Sequence, residues 1–230
     1  MINQDFQATD PFRTSSFHDA DYGDGVTVPY AGQTRMRLTI LSGLADARVH
    51  IDPDATDLIA ILCDGSRWPR LRVSPSELRL SWPLSIGGWL LAALAGEHRD
   101  IQIVLHPAVE WTLQIRGGLS HFEADLSSGK LARLEIRGGV SEAHLDLPRA
   151  DAVTPIRISG GVSDVAICRP ADTAVALAVS GGVSDLGLDD QGFEAIGGGV
   201  RLSTGDVQGD APRYVLEVSG GASGLLVAPR

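Results

Sequence analysis

The chain has 230 residues, enough for one domain or two small ones, and 43% of them are apolar but only 5% aromatic, so the core must be built from Val, Ile, Leu and Ala. A formal charge of −10 repels phosphate backbones and anionic bilayer surfaces, which sets aside nucleic-acid binding. Two cysteines, Cys63 and Cys168, are too few for a disulfide framework and read as reduced, buried thiols.

Residues 1–35 are polar and acidic, with Asp5, Asp10, Asp19, Asp21 and Asp24 set against Arg13 and no apolar period. They read as a flexible or loosely docked arm, with Phe6, Phe12 and Phe17 as docking points. The first residues carry neither a basic nor an apolar leader region. The longest apolar run, Ile86 to Gly96, is about half of what a membrane span needs. The expectation is therefore a soluble, cytoplasmic protein.

Residues 36–112 read as degenerate β-repeats. Met36, Leu38 and Ile40 alternate, and Ser42-Gly43-Leu44-Ala45 follows as a decayed copy of a motif that returns later. Further strands are expected over 58–62, 71–73, 78–82 and 101–105, with Pro83 closing the third of them. The Leu- and Ala-rich stretch over 88–96 predicts one short helix, stopped by Gly96.

Residues 113–230 are the regular part. A Gly-Gly-x-Ser bend recurs as Gly117-Gly118-Leu119-Ser120, Gly138-Gly139-Val140-Ser141, Gly160-Gly161-Val162-Ser163, Gly181-Gly182-Val183-Ser184 and Gly220-Gly221-Ala222-Ser223. The first four glycine pairs lie 21, 22 and 21 residues apart. The last gap, 39 residues, holds a degenerate unit around Ala195 to Val200.

The apolar phase changes once in each repeat. In the third copy Ile156, Ile158, Gly160 and Val162 share one face, and after Ser163-Asp164 the face passes to Val165 and Ile167. The other copies behave alike: Leu134, Ile136 and Val140 give way to Ala143, Leu145 and Leu147. Strand side chains alternate with period two, so a slip of one residue requires a bulge or corner at Ser-x. The first glycine is expected to face inward at a pinch without room for a Cβ, the second to take positive φ at a kink. Stacked copies would range Ser120, Ser141, Ser163 and Ser184 in a ladder.

One repeat cannot bury its own apolar face, but stacked neighbours can. The fold class is all-β. The reading is a parallel β-solenoid (β-helix) of roughly 21-residue coils at the strand spacing of sheets, with an antiparallel two-sheet β-sandwich as the alternative. The chain stops just past Val227, so the last coil is expected to be an uncovered edge, open to self-association through coil ends or to a cap from the arm.

Leu147-Pro148, Val162 to Pro170, Ala195-Ile196-Gly197-Gly198, and Arg213-Tyr214 followed by Glu217 to Ser223 carry a resemblance to bacterial Gly-Gly-Ala-Ser-type β-repeat proteins of unknown function. More distantly the chain is similar to the adhesin-like DUF4097 and GIN β-repeat domains and to the C-terminal domain of LiaF-type envelope-stress proteins. The resemblance implies a β-solenoid and no activity.

Chemistry-bearing patterns are sparse. The six histidines form no His-x-x-x-His and no Cys/His group of zinc spacing, and read as loop or solvent-facing residues. Gly-Gly-Val-Ser-Asp lacks the nine-residue period of calcium-binding repeats, so Glu142, Asp164 and Asp185 read as an acidic outward corner. Every candidate nucleophilic serine is a repeat residue, and no phosphate-binding loop is present. No catalytic residue, cofactor or metal site is assigned. Trp82, Trp89, Trp111 and Tyr214 could form a sugar-stacking face or pack the core ends. Arg67, Arg70, Arg72 and Arg79 make a modestly basic patch. The functional expectation is a non-enzymatic interaction or scaffold protein of unknown ligand. The alternatives are a carbohydrate-binding or carbohydrate-active β-helix, or a regulator linked to an envelope-stress system.

Overall fold

Each repeat forms two strands set on different sheets, joined at the Gly-Gly bend, and the slip in alternation is a bulge inside the second strand, as at Asp164 within Val162–Arg169. The computed structural model describes residues 25–63, 68–82, 101–205 and 209–230. The helix expected over 88–96 and the first 24 residues of the arm lie outside them. The strands are β1 (Val26–Pro29), β2 (Arg35–Ile40), β3 (Leu44–Ile51), β4 (Asp57–Cys63), β5 (Arg70–Ser74), β6 (Glu77–Ser81), β7 (Ile101–Leu105), β8 (Glu110–Ile115), β9 (Leu119–Asp125) and β10 (Lys130–Ile136). They continue with β11 (Val140–Asp146), β12 (Val153–Ile158), β13 (Val162–Arg169), β14 (Ala174–Val179), β15 (Val183–Leu188), β16 (Gln191–Ile196), β17 (Val200–Ser203), β18 (Arg213–Val218) and β19 (Ala222–Pro229). Among the described residues there is no helix.

A ten-stranded sheet runs β1-β4-β7-β3-β9-β11-β13-β19-β15-β16, and a nine-stranded sheet runs β17-β14-β18-β12-β10-β8-β2-β6-β5. Each coil contributes one strand to each sheet, and successive coils pair in parallel with like positions aligned, as in Ser141↔Ser163 and Leu134↔Ile156. The protein is all-β, with two mostly parallel sheets in a solenoid arrangement. Among the described residues, antiparallel pairing is confined to the ends: β1 with β4, β4 with β7, β5 with β6, β15 with β16, and β14 with β17.

The coils do not stack in chain order. β18 lies between β12 and β14, and β19 lies between β13 and β15. The last repeat is therefore an internal coil, which corrects the expectation of an uncovered C-terminal edge. The degenerate unit around Ala195 to Val200 is no coil either; β16 and β17 turn back antiparallel and cap that end. The other end is built alike, with the β6–β7 coil entering between the β2–β3 coil and the strands β4 and β5. Val26–Pro29, inside the stretch read as an arm, is a strand on the edge of the larger sheet. Its terminal proline falls where the register to β4 shifts.

The interior is a set of aliphatic columns. Leu113, Leu134, Ile156, Leu216 and Leu177 stack in the smaller sheet, and Ala124, Leu145, Ile167, Val227 and Leu188 in the larger, all at most 5% exposed. Each buried Leu, Ile or Val is worth about 1.5–3 kcal/mol against the chain entropy it fixes. Size is balanced along columns: Phe122 has Ala47 on one side and Ala143 on the other. Tyr214 lies inside as well, and its hydroxyl donates to the Pro148 carbonyl at 2.7 Å. Burial pushes that phenol well above its ordinary value. The folded chain then holds a proton that the unfolded chain gives up above about pH 10. The contribution is complete below that pH and is lost as pH rises further. Thermal melts should show a fall in stability above about pH 10 that is smaller in Tyr214→Phe, a variant that loses about 1 kcal/mol at neutral pH.

At the bend, the two glycines meet different neighbours. A Cβ on Gly160 would sit 2.5 Å from Gly139 N and 2.6 Å from the carbonyl of Gly138. A Cβ on Gly161 would sit 3.3 Å from Gly221 O. The first glycine therefore answers to the backbone of the adjacent coil rather than to a pinched interior. Positive φ does not fall on the second glycine. It falls on the residue after the serine, His121, Glu142, Asp164, Asp185 and Gly224, and on Asp46 after Ala45 in the decayed copy, with φ between 48° and 63°. Aspartate, histidine and glycine are the types that enter this region at least cost.

Candidate functional site

The bulge that reverses the strand phase also builds the outer face of the ten-stranded sheet. The residue after each serine, or after Ala45 in the decayed copy, stands out of the ladder, so Asp46, His121, Glu142 and Asp164 form a row across neighbouring coils. One step on, Arg48, Glu123 and His144 form a second row, and His50, Asp125, Asp146 and Cys168 a third. The first two rows border an open groove of about 450 Å³, floored by Ala47, Phe122 and Ala143.

The rows are tied by charge. His121 Nε2 lies 2.7 Å from Glu142 Oε2, and its Nδ1 3.8 Å from Asp46 Oδ1. Arg48 Nε donates to Glu123 at 3.2 Å, and His144 Nε2 is 3.1 Å from Asp146 Oδ2. These side chains are largely exposed, so each pair contributes at most about 1 kcal/mol to stability. Burial pushes the Cys168 thiol up, the Asp146 carboxylate pushes it further, and Arg230 opposes both. Burial also acts to raise Asp125, but hydrogen bonds from Ser127 and the positive charge of Arg230 hold it below its ordinary value. Among the described residues, His144, Asp146 and Cys168 form a group able to hold a metal: their ligand atoms lie within 4.8 Å of one another.

The structure brings the repeat serines together and distributes the other candidates. Ser120, Ser141, Ser163, Ser223 and Ser184 align across adjacent strands. Ser141 Oγ lies 3.5 Å from the Leu119 carbonyl, and Ser163 Oγ donates to its neighbour Asp164 at 2.9 Å. Gly117, Gly138, Gly160, Gly220 and Gly181 form the close-approach row, with Gly118, Gly139, Gly161, Gly221 and Gly182 beside it.

Trp111 and Tyr214 are buried in the interior, at 0% and 1% exposure, so they cannot form a sugar-stacking face. Trp82 packs against the core, and Trp89 lies outside the described residues. Of the basic patch, Arg67 lies outside too, Arg70 and Arg72 are exposed on β5, and Arg79 pairs with Glu77 at 2.9 Å. His106, read as solvent-facing, is 9% exposed, stacked under Tyr30 with ring centroids 3.8 Å apart. Neither cysteine is fully buried.

Residues 90–168 match the family Toast_rack_N, described as the N-terminal domain of toast_rack, DUF2154. No curated protein matches the chain significantly. A crystal structure from Clostridium sporogenes ATCC 15579, described as a putative cell adhesion protein, superposes with a TM-score of 0.62 and 17% sequence identity. The match covers 89% of this chain and 97% of that one. At that identity the likeness is one of fold.

Proposed function

We propose that this chain is a non-enzymatic interaction module of an adhesive kind, which meets its partner with the outer face of the ten-stranded sheet. The observation that carries this reading is the in-register array of charged side chains around the groove between Asp46 and Asp164. A packed scaffold fixes the backbone positions of such an array before binding, which favours recognition by a broad surface. The description of the Clostridium structure as a putative cell adhesion protein points the same way. The contact is placed on the face rather than at the coil ends because both ends finish in antiparallel strands that do not continue the parallel register.

Photo-crosslinkers placed at Glu142 and, on the opposite sheet, at Arg157 test this in the cells that make the protein. Adducts are expected from position 142 and not from 157. Equal labelling, or none from either, would remove the face-binding reading. An adhesive role also requires exposure outside the cell, in contrast to the cytoplasmic expectation, and protease treatment of intact cells decides between them.

A further inference from the structure

We propose that His144, Asp146 and Cys168 bind a divalent cation of the zinc class, on the same outer face but independently of any protein partner. His144 and Asp146 are two apart on β11, so both point outward from one face. Cys168 on β13 is the register partner of Asp146. Stacking thus sets an imidazole, a carboxylate and a thiol at three adjacent surface positions, with ligand atoms mutually within 4.8 Å.

The imidazole and carboxylate are already 3.1 Å apart, near the separation of two ligands on one tetrahedral ion. A mixed nitrogen, oxygen and sulfur set suits a borderline-soft ion such as zinc and not magnesium or calcium, which take oxygen. Three protein ligands leave a fourth position open to water. The surrounding charges are Asp125, the other register partner of Asp146, with His50 beyond it, and Arg230, whose Nη2 is held on the Leu147 carbonyl at 2.8 Å. Asp125 favours a cation there and Arg230 opposes it. A thiol must release its proton to ligate a metal, so affinity should rise with pH.

Titrating the metal-free full chain with Co²⁺ tests the proposal, because a cysteine ligand gives a thiolate-to-cobalt charge-transfer band. The band should saturate near one equivalent, vanish in Cys168→Ser and persist in Cys63→Ser. His144→Ala, an exposed substitution that leaves folding intact, should weaken Co²⁺ binding by at least about tenfold. Zn²⁺ should raise the melting temperature of the wild type and not that of Cys168→Ser. No band at millimolar Co²⁺, a band that survives Cys168→Ser, or unchanged affinity in His144→Ala would each overturn it.

Discussion

Gly160→Ala is expected to lose about 3 kcal/mol, and Gly160→Val more, whereas Gly161→Ala, one residue along, should lose about 1 kcal/mol or less. The difference follows from what each new Cβ meets. At Gly160 it would be driven to within 2.6 Å of three backbone atoms of the preceding coil, Gly139 N and the carbonyl carbon and oxygen of Gly138. Backbone cannot rotate away as a side chain can. The coils would have to part, stretching the bonds from Ser159 N to Ile136 O and from Val140 N to Gly161 O, now 2.9 and 3.0 Å. At Gly161 the nearest atom is one carbonyl oxygen at 3.3 Å, which a shift of a few tenths of an ångström relieves. Arg157→Ala is the control. Its side chain is exposed and paired only with Glu217 at 2.7 Å, so its loss should stay under about 0.5 kcal/mol. Urea midpoints for the four variants give the ranking. Similar losses at Gly160 and Gly161 would show that coil contact does not govern the bend.

That ranking also separates what the residues disclosed from what they concealed. The repeat, its phase and its bulge were legible because each leaves a mark at fixed intervals: a missing side chain where coils touch, and a one-residue slip in apolar alternation. The identity of the residue after the serine carried one more mark. Of the six residues at that step, Asp46 (after Ala45 in the decayed copy), His121, Asp164, Asp185 and Gly224 are types that accept left-handed φ, with Glu142 the exception, and this pointed to that residue rather than to the second glycine. Stacking order left no comparable trace. Every coil offers the same kind of interior row, Leu134 or Leu216 or Leu177, so each can lie on any other. Order is decided by connections and caps. Asp189-Asp190 between β15 and β16 is a two-residue hairpin loop, with Asp189 at φ 51°. It was the local sign that the degenerate unit reverses instead of continuing. The grouping of His144 and Asp146 with Cys168 was out of reach, because register rather than spacing makes them neighbours.

The insertion of the last repeat leads to the second large effect, at a buried ion pair. Arg169 ends β13 beside Leu147, at an interior position, and is 1% exposed. Its Nη2 donates to both carboxylate oxygens of Asp189 at 2.6 Å, and Nη1 to the Pro170 carbonyl at 3.1 Å. Asp189 follows β15, and β19 lies between β13 and β15. The pair therefore bridges two strand spacings, roughly 10 Å, beneath the inserted strand, a span that needs a side chain as long as arginine. Removing either partner should not cost the same. Asp189→Ala strands a guanidinium in the interior and should lose about 3 kcal/mol. Arg169→Met keeps the volume, removes the charge, and leaves a carboxylate that already reaches solvent; its loss should stay near 1 kcal/mol. In the double variant, the alanine at 189 should then add only the cost of its left-handed φ of 51°, about 1 kcal/mol, because no charge remains to be stranded. Equal single losses that sum in the double variant, read from denaturation curves, would mean that the two side chains act separately and that nothing ties the end coil across the inserted one.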